Sequence, residues 1–90
     1  MIDPAKVKEN LRDWLRNPSW HEVYVTAPSE RCRRYIAMMF YASETEEEEA
    51  FEAMDRMEEG MTKEDLTFMF NVMEGPEKAR LAKLIQKLDA

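Results

Sequence analysis

Residues 45–59 read TEEEEAFEAMDRMEE, and this stretch decides the fold. Ala50, Phe51, Met54 and Met57 recur at helical spacing, while most other positions carry a carboxylate. Such a pattern predicts a two-sided helix that buries one face in a core and turns an anionic face to water or to a partner. Thr45 followed by Glu48 reads as a capping box, the early glutamates suit the positive end of the helix dipole, and Gly60 stands where a left-handed C-cap belongs.

On the C-terminal side, Thr62 opens a second helix with Asp65 as a short partner in its capping box, and Leu66, Met69, Phe70 and Met73 share one face. Phe68 and Val72 fall off that stripe, so this helix is either central to a bundle or shared with a partner. Gly75-Pro76 ends it and opens a last helix with a stripe of Leu81, Leu84, Ile85 and Leu88. On the N-terminal side, Ser29 caps a helix through about Ala42 whose inward residues are Cys32, Ile36, Met39 and Phe40, and Ser43-Glu44 forms a hinge. Residues 19–27 have strand propensity at Val23 to Thr26 but no second strand to pair with. Ser19 with Glu22 and the spacing of Trp20, Val23, Tyr24 and Ala27 favour a short helix closed by Pro28. Asp3 and Pro4 start the first helix, with Val7, Leu11, Trp14 and Leu15 on one face and Asn17-Pro18 as its stop.

The expectation is therefore an all-α, compact single-domain bundle of five or six short helices spanning residues 1–90, with links too short for anything but close packing of neighbours. Its expected core is Val7, Leu11, Trp14, Leu15, Ile36, Phe40, Phe51, Met54, Leu66, Phe70, Leu81, Ile85 and Leu88. Eight methionines add adaptable filling, or an adaptable binding surface if some are exposed.

The net charge of −6 is concentrated, with eleven acidic and two basic residues between 44 and 65. That face repels nucleic acid and anionic membrane and attracts basic surfaces over about 8–10 Å at physiological salt. No apolar run approaches the roughly 20 residues of a membrane span, and charges in MIDPAKVK occupy the place of a secretory signal's apolar core. With a single cysteine as well, a cytoplasmic setting is expected.

Chemical motifs are sparse. Residues 55–66 place Gly60 as a calcium loop would, but Met57 and Leu66 occupy positions that need oxygen ligands. A DNA-reading helix pair over the same region would bring carboxylates to phosphates. His21 and Cys32 are the only pair that could form a thiol nucleophile with its base, and Cys32 lies on an apolar stripe. No catalytic, cofactor or metal site is expected. Arg31, Arg33 and Arg34 read either as an anion contact or, preferably, as internal complement to the acidic helix. Glu48, Glu52, Asp55 and Glu59 form one helical row, either a plain solvated face or a docking face. The expected function is thus a non-enzymatic interaction or regulatory module. Its docking face would be Glu48, Glu52, Asp55 and Glu59, with Phe68 and Val72 as an apolar supplement. The expected partner is a protein with a basic surface, with direct nucleic-acid and membrane binding disfavoured and a homodimer through the Phe68 helix as an alternative. A Cys32/His21 enzyme is the remaining alternative.

Overall fold

Five of the six helices begin where a side chain or a proline removes the cost of the first free N–H groups. The computed structural model describes residues 1–89 and contains six helices. In α1 (Pro4–Trp14) the Asp3 carboxylate accepts from the Ala5 N–H at 3.0 Å, and Pro4 takes the first helical position. The strand-prone stretch is helical, as α2 (Pro18–Thr26), but its start is not the expected Ser19–Glu22 box. Asn17 caps it instead, accepting from the Ser19 N–H at 2.9 Å, because Pro18 is already helical in φ. Thr26 Oγ1 donates to the Glu22 carbonyl at 2.7 Å, which accommodates a β-branched residue in the last turn.

The long α3 (Glu30–Thr45) starts on Ser29, whose Oγ accepts from the Cys32 N–H at 3.1 Å. It passes through the expected hinge at Ser43-Glu44 and is capped after Thr45 by Glu46, a non-glycine residue with φ 56°. Thr45 is consequently the end of α3 and not the cap of the next helix. Its Oγ1 donates to the Tyr41 carbonyl at 2.9 Å and accepts from the Glu47 N–H at 3.3 Å. The acidic helix α4 (Glu48–Glu59) follows Glu47, which makes no side-chain cap bond. Gly60 also differs from expectation, since its φ of −94° is open to any residue. The capping box of α5 (Lys63–Val72) is present as expected, with Thr62 Oγ1 accepting from the Asp65 N–H and Asp65 Oδ2 from the Thr62 N–H, each at 3.2 Å. Gly75, with φ +71°, makes the turn into α6 (Pro76–Asp89).

Helix α3 is the centre of the bundle, packing on α1 and α4 and more lightly on α5, while α6 covers α5. The radius of gyration is 12.7 Å, near the value of about 12 Å expected for a compact chain of this length. Tyr35, Ile36, Phe40, Tyr41, Leu66, Met69 and Leu81 are fully buried. Trp14 stacks on Phe40 with centroids 4.5 Å apart, and Trp20 meets both rings edge-on at 5.7 and 5.4 Å. Phe51 and Leu88, both expected in the core, are 39% and 54% exposed. Phe70 is half-buried, with the Lys78 ammonium 4.6 Å from its ring centroid.

Candidate functional site

The outer face of α4 is built by two small residues. Ala50 and Ala53 are buried beside Met54, so their lack of bulk lets α4 lie close to α3. That approach fills the space under the helix and leaves Phe51, one position round from Ala50, at the rim. Ala50 and Ala53 are the signal in the sequence that could have shown this, because a face led by alanines sits too close for a phenylalanine at its edge to turn under.

The carboxylates of this region divide into two groups. One group holds the fold together. Glu58 has a side chain only 2% exposed; its Oε2 accepts from Tyr35 Oη at 3.1 Å and its Oε1 from Arg80 Nε at 2.7 Å, tying α3, α4 and α6. Arg80 also reaches Asp55 at 3.3 Å. Glu47 accepts from Tyr41 Oη at 2.9 Å, and Glu44 from Trp14 Nε1 at 2.9 Å. The second group is exposed and without a cationic partner among the described residues, namely Glu48, Glu52 and Glu59 on α4 with Glu46 ahead of it. The expected row is therefore shortened, with Asp55 half-buried and engaged by Arg80.

Beside the row, Phe51 and Met54 face Pro76 and Glu77 across a groove of about 330 Å³ that ends at Arg80. Phe68 and Val72 do not join it. Both are half-buried against the core, and Val72 lines a separate shallow groove with Trp20 and Val23. The apolar residue that accompanies the acidic row is Phe51.

The arginines of α3 are partly neutralised, though not by α4 as expected. Arg33 pairs with Glu30 of its own helix at 2.7 Å, and Arg31 with Asp65 of α5 at 3.3 Å. Cys32 is completely buried. Burial, with a smaller contribution from Asp65, pushes its thiol up to about 12, the reverse of an activated nucleophile. His21 is exposed on α2. Among the described residues no group of three or more His, Cys, Asp or Glu side chains could hold a metal ion, and no helix is long and apolar enough to cross a membrane. Comparison with protein-family models, curated proteins and solved structures finds no match to this chain.

Proposed function

We propose that the protein is a small non-enzymatic interaction or regulatory module, working in a cytoplasmic setting, whose α4 ridge docks on a basic segment of another protein. The observation that supports this reading is the division of carboxylates. Those that stabilise the fold are satisfied internally, whereas Glu48, Glu52 and Glu59 lack a cationic partner among the described residues, and the first two flank an exposed Phe51. Carboxylates in such a row steer a cationic partner and set its register, and an aromatic anchor supplies the desolvated contact that holds it. The fitting partner carries Lys or Arg at helical or extended spacing around one apolar side chain, which would enter the groove between Phe51 and Pro76. Nucleic acid and anionic membrane would be repelled from this face.

The test is capture from native extract with the intact chain, a Glu48→Lys/Glu52→Lys/Glu59→Lys variant and a Phe51→Ser variant. A partner retained by the parent, lost from both variants and released progressively as salt rises supports the docking face. A partner held equally by all three, or with an affinity indifferent to salt, overturns it.

A further inference from the structure

The face between α3 and α4 carries the opposite charge. A cavity of about 240 Å³ is lined there by Arg31, Arg34, Arg56, Met57 and Gly60. Three arginines from two helices line one small space, in a chain whose net charge is −6. Arg31 and Arg34 stand three residues apart on one face of α3, a spacing that places like charges side by side and is mildly unfavourable. Arg56 lies in the last turn of α4, where the helix dipole favours a cation. That dipole accounts for one positive charge and not for three.

The arginines are not equivalent. Arg31 is anchored through Nε to Oδ2 of Asp65, whose side chain is only 2% exposed and is itself held by Ser29 Oγ at 2.8 Å and by the Thr62 N–H. This fixes the guanidinium from behind and leaves its terminal nitrogens free. Arg34 and Arg56 have neither a hydrogen-bond nor an ion-pair partner among the described residues.

We infer that this cavity binds the dianionic head of an organic phosphate monoester, with the ester's apolar body lying over Met57. Asp65 balances Arg31, and Arg34 and Arg56, which have no partner among the described residues, offer donors to a phosphomonoester of about −2 charge at neutral pH. The planar fork of arginine meets two phosphate oxygens at once, which a point charge does not. Half-buried Met57 and the arginine stems give the cavity an apolar wall that a bare inorganic ion would leave uncovered. An extended polyanion fits poorly, because its neighbouring phosphates would approach the exposed Glu52 and Glu59 of the same helix.

The test is calorimetric and NMR titration of the intact protein with phenyl phosphate, inorganic phosphate and benzoate. Phenyl phosphate should saturate with Kd at or below about 1 mM, shifting the Met57 methyl and Gly60 amide, with the other two weaker by about tenfold. Arg34→Gln and Arg56→Gln should each weaken phenyl phosphate by about tenfold or more, while Lys8→Gln on α1, with the same loss of charge, should change it by less than about twofold. Both arginine positions are exposed, and circular dichroism checks that the variants remain folded. A phosphotyrosine peptide that binds more tightly than phenyl phosphate assigns the natural ligand to a phosphorylated chain, and one that binds no more tightly assigns it to a free metabolite; both support the site. No saturable binding up to about 10 mM, equal affinity for phenyl phosphate and benzoate or inorganic phosphate, or an equal loss in Lys8→Gln overturns it.

Discussion

The hydroxyl of Tyr35 donates to Oε2 of Glu58 at 3.1 Å, in an interior where the tyrosine is wholly buried and the glutamate side chain is 2% exposed. The pair joins α3 to α4, and Arg80 extends it to α6. Tyr35→Phe deletes the donor and leaves a buried carboxylate oxygen without its partner, so the expected loss is about 1–3 kcal/mol in urea unfolding. Tyr35→Phe combined with Glu58→Gln should cost less than the sum of the two single changes. Strict additivity would mean that the two residues do not act as a unit.

Asp65 predicts acid sensitivity. Burial alone would raise its carboxyl, but Ser29, the Thr62 N–H and Arg31 together outweigh burial and hold it below the ordinary aspartate range. A depressed folded-state value means that the contribution is complete above the unfolded-state value of about 3.9 and is lost as pH falls through the lower folded one. Asp65→Asn should therefore destabilise the protein at neutral pH and flatten the decline in stability below about pH 4. Parallel pH–stability curves for parent and variant would contradict this.

The two glycines should respond oppositely to alanine. At Gly75, φ is +71° and a Cβ would meet nothing within 4 Å, so the cost of Gly75→Ala is purely conformational, about 1 kcal/mol. At Gly60 a Cβ would meet only the Met57 carbonyl oxygen at 3.7 Å, and φ is ordinary. Gly60→Ala should be neutral or stabilise by up to about 1 kcal/mol, through a less flexible unfolded chain. Thermal melts of the two variants decide it.

Asn10 is buried on α1, and its Nδ2 has no hydrogen-bond partner among the described residues. Asn10→Leu keeps the branching, removes an unsatisfied donor and suits a helix better, so stability should rise by about 1 kcal/mol. A lower urea midpoint for the variant would show that the amide is satisfied in solution.

Phe51 and Phe40 separate binding from folding. Phe40 is fully buried and Phe40→Ala should cost about 3–5 kcal/mol. Phe51→Ala, at a position 39% exposed, should cost less than about 1.5 kcal/mol. Equal losses in urea melts would place Phe51 in the core and remove it from the docking face.

What could be read from sequence was local. The Asp3–Pro4 start, the Ser29 cap and the Thr62–Asp65 box depend on residues within one turn, and all three stand in the structure. The boundary between α3 and α4 was less legible, because Thr45 suits the end of one helix as well as the start of the next, and Glu46 adopts a left-handed conformation that its residue type does not announce. Depth was harder still. Tyr35 and Glu58 are buried because they satisfy each other across two helices, and Phe51 is turned out because Ala50 and Ala53 bring α4 close to α3. For the same reason periodicity reveals the Glu48, Glu52 and Glu59 row but neither the capture of Asp55 by Arg80 nor the approach of Arg56 to Arg31 and Arg34.

The chain's two tryptophans, Trp14 and Trp20, both stand against Phe40, and so both belong to the α1–α2–α3 half of the bundle. Intrinsic fluorescence is therefore a one-sided optical gauge. Fraying of α6, which holds no indole, would leave emission nearly constant while ellipticity fell, whereas loss of α5 would uncover Trp20 beside Asn71 and Val72. Ligand-induced changes at the Arg31–Arg34–Arg56 cavity would reach the indoles through α3, which carries Phe40, or through α5, where Asp65 meets Arg31 and Val72 lies beside Trp20.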